Sequence, residues 1–187
     1  MAAESFLKNG FAATTMSGIA SQLGGSKSTL WGHFSSKEEL FTAVIDSRTS
    51  TYRAHLSQML TTPSGSVAET LRRVCTIVLE KLTSAEAVAL QRLVVAEGIR
   101  FPQAGSIFYN RGPRVTQMQL AKFLSAEMES GRLRRDDPMR AARLLLSMSL
   151  HYSQQQLLWG LAQAATPEDL KSEVDRAVDV FMRAYAP

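Results

Sequence analysis

The chain has 187 residues and a mass of 20.6 kDa, and its 45% hydrophobic and 20% charged residues are typical of a globular protein and exclude a disordered one. Its single cysteine, Cys75, excludes an internal disulfide and a cysteine-based zinc site, and its apolar neighbours predict an inert buried thiol. The net charge of +4 and the isoelectric point near 9.5 permit a nucleic-acid partner but do not require one.

No part of the sequence is suited to crossing a membrane. No stretch approaches the roughly 18 apolar residues that a spanning helix needs. The first five residues lack the basic segment and the apolar run of a signal peptide. We therefore expect a cytoplasmic protein with no membrane partner.

Apolar residues recur at helical spacing along the whole chain, and no alternating run predicts a strand. Breaks rich in glycine, proline and serine divide this pattern into about nine helices. The predicted spans are 1–9, 16–23, 27–33, 37–61, 66–82, 85–101, 103–130 with a break near Pro113, 138–160 and 168–185. The sequence therefore predicts an all-α protein.

Helix length changes near residue 45. The early helices are short and tightly joined, whereas the later ones are long. We place a domain boundary inside the predicted helix 37–61, because no proline or glycine linker interrupts it. Residues 1–45 are predicted to form one domain, and residues 46–187 are predicted to form a second.

Three predicted helix starts carry capping signals. Ser36 and Glu39 have the spacing of a capping box, in which the serine hydroxyl accepts the N–H of the glutamate and the glutamate reaches back. Thr83 and Glu86 have the same spacing. Thr166 is followed by a proline at the first helical position, which favours a helix start there.

The predicted helices 16–23 and 27–33 have the features of a helix-turn-helix. Gly24 between them can adopt the left-handed conformation that ends a helix. Two short helices joined by such a turn predict a DNA-binding module. The first helix has one apolar face, formed by Met16, Ile19, Ala20 and Leu23.

The second helix of this pair suits the major groove of DNA. No acidic residue occurs between Glu4 and Glu38, so carboxylates that repel phosphates are absent from this stretch. Short hydroxyls and a lysine at the helix start can contact base edges. We predict base reading by Ser26, Lys27, Ser28 and Thr29. N–H donors and charge farther along suit phosphate contacts, which are predicted for Trp31, His33 and Lys37.

This region resembles the DNA-binding signature of TetR/AcrR-family transcriptional regulators. The matching positions are Phe6, Gly10, Phe11, Thr14, Thr15, Met16, Ile19, Ala20, Leu23, Gly24, Ser26, Lys27, Thr29, Leu30, Trp31, His33, Phe34, Ser36, Lys37, Glu38 and Leu40. The resemblance implies that Thr15 caps the first helix of the pair and touches a phosphate. The chain differs from the family in having Trp31 in place of a tyrosine. It also begins inside the first helix, so we expect the preceding arm of the family to be missing.

Residues 90–160 resemble, more weakly, a regulatory domain of one AcrR-like branch. Residues 90–102, Phe108, the pair 112–113 and the segment 131–142 carry this resemblance. It implies a pocket for a small-molecule effector whose identity the sequence does not give, with no cofactor and no metal. The candidate lining residues are His55, Met59, Leu79, Leu93, Phe108, Met118, Met148 and Tyr152.

The predicted helices 138–160 and 168–185 carry more apolar residues than packing against one core requires. The resemblance implies that they form a four-helix interface in a homodimer. The candidate interface residues are Gln155, Trp159, Val174, Val178, Phe181 and Tyr185. Such a dimer would place two recognition helices in successive major grooves of a near-palindromic operator, about 34 Å apart. The leading hypothesis is a ligand-responsive repressor.

Two other classes of function are alternatives. The histidines lack metal-ligand spacing, and no nucleophile elbow, P-loop or dinucleotide fingerprint occurs, so we predict that the chain is not an enzyme. Arg92 and Glu97 are interpreted as a local polar network. A helical protein-binding module that has lost DNA binding is the remaining alternative, because the pair Gly24-Gly25 weakens the turn.

Overall fold

The computed structural model describes the backbone of residues 1–22 and 27–187 and the side chains of residues 1–22 and 30–187. These residues form eleven helices and no strand. The helices are α1 (Ala2–Ala13), α2 (Met16–Gln22), α3 (Lys27–His33), α4 (Lys37–Thr61), α5 (Val67–Thr83), α6 (Ala85–Glu97), α7 (Pro102–Arg111), α8 (Pro113–Glu129), α9 (Pro138–Ser149), α10 (Tyr152–Trp159) and α11 (Pro167–Tyr185). The predicted all-α fold is confirmed. Within the described part of the chain, no helix combines the length and the apolar character needed to cross a membrane.

The helix predicted over 138–160 is divided into two. α9 ends at Ser149, and Leu150 departs from helical geometry with φ −111° and ψ 12°. At the start of α10, the N–H of Ser153 donates to the carboxylate of Glu173 at 2.9 Å, and the Ser153 hydroxyl donates to the same oxygen. A carboxylate on α11 therefore satisfies a donor at the start of α10, which the spacing of apolar residues did not reveal.

α1 extends past the predicted end at residue 9 and is kinked at Gly10, where φ is 82° and ψ is 167°. A positive φ favours glycine, because a Cβ makes this conformation sterically unfavourable. The predicted helix end therefore corresponds to the kink. The predicted break near Pro113 is confirmed, since α7 ends at Arg111 and α8 begins at Pro113.

The predicted capping box before α4 is formed only in part. The Ser36 hydroxyl accepts the Glu39 N–H at 3.1 Å, as predicted. The Glu39 carboxylate reaches back one residue farther, to the N–H and the hydroxyl of Ser35, at 2.7 Å each. These two hydrogen bonds hold the pKa of the Glu39 carboxyl below its usual value.

The other two predicted caps have opposite outcomes. Thr166 caps α11 as predicted, because its hydroxyl accepts the Asp169 N–H at 3.1 Å. The prediction for Thr83 is wrong. α5 continues through Thr83, and the hydroxyl of Ser84 accepts the Ala87 N–H at 3.3 Å. The cap of α6 therefore lies one residue later than the sequence predicted.

The chain divides into two compact units. The first consists of Met1–Ser50 and Ala89–Pro113, and an aromatic cluster lies in its core. The rings of Phe6, Phe11 and Phe41 lie 5.0, 5.3 and 5.8 Å apart between centroids. This grouping differs from the predicted domains in placing residues 89–113 with the first 50, and the boundary after residue 45 stays a prediction.

The second unit consists of Thr51–Val88 and Arg114–Pro187. α5 packs against α9, α10 and α11 within it. Cys75 lies in the core of this unit, and burial raises the pKa of its thiol to about 11. A thiol in that environment stays protonated at neutral pH, which agrees with the predicted inert role.

Candidate nucleic-acid interface

Two adjacent threonines connect α1 to α2. The hydroxyl of Thr15 accepts the Gly18 N–H at 3.0 Å, so Thr15 occupies the capping position that was expected of it. The buried hydroxyl of Thr14 donates to the Gly10 carbonyl at 2.6 Å. The first residues of α2 are therefore hydrogen-bonded to Thr15, and the connection itself is attached to the kink of α1.

α2 and α3 contact each other and share one buried face. Leu23 and Gly24, which were predicted for the inward face and the turn, lie outside the described residues. Phe34 packs against the same core and is partly buried. The buried side chains of the pair are Met16, Ile19, Ala20 and Leu30.

The solvent side of α3 carries two of the side chains predicted to contact phosphates. Trp31 is 49% exposed, and His33 is exposed as well. An indole N–H and an imidazole N–H can each donate to a phosphate oxygen. Of the predicted base-reading residues, Ser26 lies outside the described part of the chain. For Lys27, Ser28 and Thr29 the structure describes the helical backbone but not the side chains.

Lys37 differs from its predicted role. Its ammonium group donates to the carbonyls of Phe11 and Ala12, at 2.7 and 3.3 Å, and lies 4.4 Å from the centroid of the Phe11 ring. The carbonyls at a helix end carry partial negative charge that attracts a cation. The structure therefore shows Lys37 binding the end of α1, where the sequence predicted a phosphate contact.

Glu97 is a residue of this region that the sequence analysis assigned differently. Its carboxylate oxygen Oε2 accepts the N–H groups of Phe11 and Ala12, at 2.5 and 3.1 Å. The sequence predicts a local polar network of Glu97 with Arg92, and the structure shows that the Glu97 carboxylate also binds α1, 86 positions away in sequence. No sequence signal indicated this contact directly beyond the predicted end of the first helix at residue 9.

The residues predicted to line an effector pocket do not share one environment. Leu79 is fully buried in the core of the second unit, and Met148 packs against that core. Leu93 and Phe108 pack against the core of the first unit. Half-buried Met59 and three exposed side chains complete the set, the exposed ones being His55, Met118 and Tyr152.

A groove of about 550 Å³ lies on the second unit between the end of α4 and the middle of α8. None of the eight predicted lining residues is among those that form it. Gln119 is one of its lining residues; the buried Oε1 atom of this side chain has no hydrogen-bond partner, while its Nε2 donates to the Arg53 carbonyl at 3.4 Å. The groove is lined by Ser57, Leu60, Thr61, Pro63, Gln119, Lys122, Phe123, Ala126, Glu127 and Arg132.

One end of this groove carries an ion pair. The guanidinium of Arg132 binds the carboxylate of Glu127 with contacts of 2.5 and 3.0 Å. The Glu127 side chain is only 5% exposed, whereas that of Arg132 is 60% exposed. The buried carboxylate of Glu127 is therefore paired. A second cationic residue of the lining is Lys122.

Four of the six predicted dimer residues are core residues of this chain. Val174, Val178, Phe181 and Tyr185 are at most 3% exposed and pack within the second unit. Phe181 and Tyr185 stack with ring centroids 4.4 Å apart. These four side chains are therefore not available to a partner, and their assignment to an interface is corrected. Trp159 is 65% exposed and Gln155 is half-buried.

Large apolar side chains remain exposed on the last helices of the second unit. Beside Trp159, they are Leu144 on α9, Tyr152 on α10, Leu161 after α10 and Val180 on α11, with exposed fractions of 48% to 69%. Isolated exposed apolar residues are ordinary, whereas a contiguous patch of them marks an interaction site. Among the described residues, no group of three or more histidine, cysteine, aspartate or glutamate side chains could hold a metal ion.

Two family models match the chain. The model described as "Bacterial regulatory proteins, tetR family" matches residues 1–44, and the model described as "AefR-like transcriptional repressor, C-terminal domain" matches residues 69–187. No curated protein sequence matches the chain. The second model alone covers more than half of the sequence.

Solved structures with the same fold include regulators from several bacteria. The flavonoid-responsive regulator FrrA is 33% identical, with 98% of this chain and 92% of FrrA covered and a TM-score of 0.82. A TetR-family regulator from Mesorhizobium loti MAFF303099 is 26% identical, with 100% and 93% covered and a TM-score of 0.85. Another, from Pseudomonas syringae pv. tomato str. DC3000, is 25% identical, with 99% and 92% covered and a TM-score of 0.78.

Proposed function

This chain belongs to the TetR family of bacterial transcriptional regulators, and we propose that it binds a near-palindromic DNA operator as a homodimer and leaves it when a small molecule binds. As a member of that family it is a DNA-binding transcription factor of the repressor type, and it is not an enzyme. The comparisons give no support to the alternative of a protein-binding module that has lost DNA binding.

The observation that carries the proposal is the α2–α3 pair with its exposed donors. Trp31 and His33 are exposed on α3, within a stretch that has no carboxylate between Glu4 and Glu38. In the proposed complex Thr15, Trp31 and His33 contact phosphates, and residues 26–29 meet base edges. Lys37 contributes indirectly, by holding the end of α1.

Selection of bound sequences from a random duplex library tests this proposal. We expect a palindrome whose half-sites are separated by one helical turn or a multiple of it. Affinity for the recovered sequence should fall steeply as salt rises, because phosphate contacts release counterions. Recovery of no motif by a folded dimer, with binding that does not respond to salt, would contradict the proposal.

The groove on the second unit is the proposed effector site. A buried acceptor without a donor costs about 1–3 kcal/mol, so a ligand hydroxyl that donates to Gln119 Oε1 would recover this energy. The walls offer apolar contact from Leu60 and Phe123 and charge from Lys122. FrrA is named as flavonoid-responsive, and flavonoids are planar aromatic molecules that carry hydroxyl groups. We assign a hydroxylated aromatic effector of this class to the groove.

Calorimetric titration with a flavone, a flavonol and an isoflavone tests the effector assignment. Replacing Gln119→Met removes the unpartnered acceptor at nearly constant volume, and we expect about a tenfold loss of affinity for the compound that binds best. Gln117→Met makes the same change two residues away, outside the lining, and should leave affinity unaltered. Equal affinities of the wild type and Gln119→Met would exclude this groove.

The exposed apolar residues of α9, α10 and α11 form the proposed dimer surface. A second copy of the chain is the partner that a two-fold operator requires. Aromatic side chains such as Trp159 and Tyr152 contribute large contact areas to interfaces. In this proposal Trp159 keeps its predicted role, and Leu144, Leu161 and Val180 take the place of the four core residues.

Sedimentation velocity measurements test this surface. Trp159→Asp places a charge in the proposed interface, and we expect it to convert a dimer into a monomer. Val95→Asp is the matched control, because Val95 is 76% exposed on α6 and does not belong to the surface. A Trp159→Asp protein that sediments as a dimer would exclude the proposed surface.

A further inference from the structure

The peptide groups of Phe11 and Ala12 are bound on both sides by oppositely charged side chains. Glu97 accepts their two N–H groups at 2.5 and 3.1 Å, and Lys37 donates to their two carbonyls at 2.7 and 3.3 Å. We call this arrangement the α1 clamp. Hydrogen bonds to charged groups are about twice as strong as those between neutral groups, so four of them strongly fix this short segment.

The kink at Gly10 makes the clamp possible. A Cβ added to Gly10 would lie 2.4 Å from Glu97 Oε1, and the residue has a φ of +82° that disfavours any side chain. The carboxylate therefore occupies space that only a glycine leaves open. Position 10 therefore requires glycine for two reasons, namely the positive φ of its backbone and the close approach of the Glu97 carboxylate.

The clamp connects α1, which precedes the DNA-binding pair in the sequence, to α4 and α6, which follow it. Glu97 is the last residue of α6, and Lys37 is the first residue of α4. A ring contact adds to it, because Phe101, which follows α6, packs on Phe11 with centroids 5.8 Å apart. The clamped residues lie only three and four positions before Thr15, which caps α2.

The two helices that supply the charges also run through both compact units. α4 contributes residues up to Ser50 to the first unit and residues from Thr51 to the second. α6 likewise has its start in the second unit and, from Ala89 on, its end in the first.

We propose that Glu97 is a positioning residue for operator binding, which fixes the end of α1 and thereby the orientation of α2 and α3. Glu97 itself does not contact DNA in this proposal, which rests on the proposed function as an operator-binding regulator. What matters is an acceptor oxygen at the right distance from two N–H groups. The negative charge strengthens the two hydrogen bonds, but the reach of the side chain is the main requirement.

Three substitutions separate reach from charge. Glu97→Gln keeps an acceptor oxygen at the same distance but loses the charge that strengthens the two hydrogen bonds, and we expect operator affinity to fall by only about threefold. Glu97→Asp keeps the charge but is one methylene shorter, and Glu97→Ala removes the acceptor. Both should lower operator affinity by about tenfold or more. Affinity is measured on the palindrome recovered with the wild-type protein.

Amide hydrogen exchange followed by NMR gives a second readout that does not depend on DNA. In the Asp and Ala variants, the amides of Phe11 and Ala12 should exchange at least about tenfold faster, while the amide of Ile45 in the core stays protected. Retained protection at Ile45 shows that the variants are folded. If the wild type selects no operator, the proposed function fails, while the exchange rates still test the clamp.

Two results would overturn the proposal. In the first, Glu97→Asp has the operator affinity of the wild type and Glu97→Gln has the operator affinity of Glu97→Ala. Charge, and not reach, would then determine operator affinity. The other is unchanged operator affinity in Glu97→Ala together with fast exchange of the Phe11 and Ala12 amides. Restoration of both affinity and slow exchange by Gln alone supports it, and a purely structural role would not give this pattern.

Discussion

The two compact units are stabilised in different ways. In the first, a cluster of three phenylalanine rings lies in the core, and charged side chains bind backbone groups at the kink of α1. In the second, mostly aliphatic side chains of α5, α9 and α11 pack together, and ion pairs such as Arg72 with Asp175 lie at its surface. Hydrophobic burial has no preferred direction, whereas hydrogen bonds do. The hydrogen bonds at the kink of α1 are therefore suited to orienting the helices that follow it, whereas the apolar core of the second unit mainly contributes stability.

Truncation of Phe181 should have the largest effect on stability. The ring is fully buried in the second unit, and Phe181→Ala should lower the free energy of unfolding by about 3–5 kcal/mol. Urea denaturation measures this change, with Met118→Ala, which is 52% exposed, as the control. A loss below about 1 kcal/mol accompanied by dissociation of the dimer would return Phe181 to the interface.

Gly10→Ala tests the first unit in the same way. The positive φ and the approach of the Cβ to Glu97 should together lower the free energy of unfolding by about 1–3 kcal/mol. Gly105→Ala is the matched control, because its Cβ would meet nothing within 4 Å on α7. That substitution should be neutral or stabilising by up to about 1 kcal/mol. Equal effects at the two glycines would contradict the assigned conformation of Gly10.

Helix caps should have smaller effects, and they test the corrected start of α6. Thr166→Ala removes the cap of α11 and should lower the free energy of unfolding by about 1 kcal/mol. Thr83→Ala should change it by less than about 0.5 kcal/mol, because Ser84 supplies the cap there. Thermal unfolding of both variants measures the difference. A larger effect at Thr83 than at Thr166 would restore the original prediction.

Asp136 should give the smallest effect, confined to acid pH. Hydrogen bonds from Arg140, the Asp137 N–H and Tyr185 lower the pKa of its carboxyl from 3.8 to about 2. Because the pKa is lower in the folded state, the stabilisation is present above about pH 4 and is lost as the pH falls toward 2. The difference in Tm between the wild type and Asp136→Asn should therefore shrink over that range. A constant difference down to pH 2 would disprove the shift.

Local patterns predicted the DNA-binding helices well. α3 and α4 have the predicted bounds, because their apolar spacing and the Ser36 cap are encoded within a few residues. The clamp was not predictable, since it joins positions 86 residues apart and no local spacing encodes such a contact. Only the predicted helix end at residue 9 indicated a change of backbone conformation there.

The second unit was harder to interpret for a physical reason. An amphipathic stripe such as Val174, Val178, Phe181 and Tyr185 has the same spacing whether it faces its own core or a partner. In this chain α5 and α9 pack against that helix. The groove that we propose as the effector site was not predicted, because its lining comes from separate helices, whose juxtaposition depends on the tertiary structure.

The central claim is that residues on α3 read the operator, and a pair of variants tests it most directly. Selection from the duplex library is repeated with Thr29→Ala and with Trp31→Phe, which removes an N–H donor but keeps an aromatic ring. We expect Thr29→Ala to change the preferred base at one position of each half-site, and Trp31→Phe to weaken all sequences equally. If both variants recover the wild-type sequence with uniformly lower affinity, residues 27–29 do not read the bases.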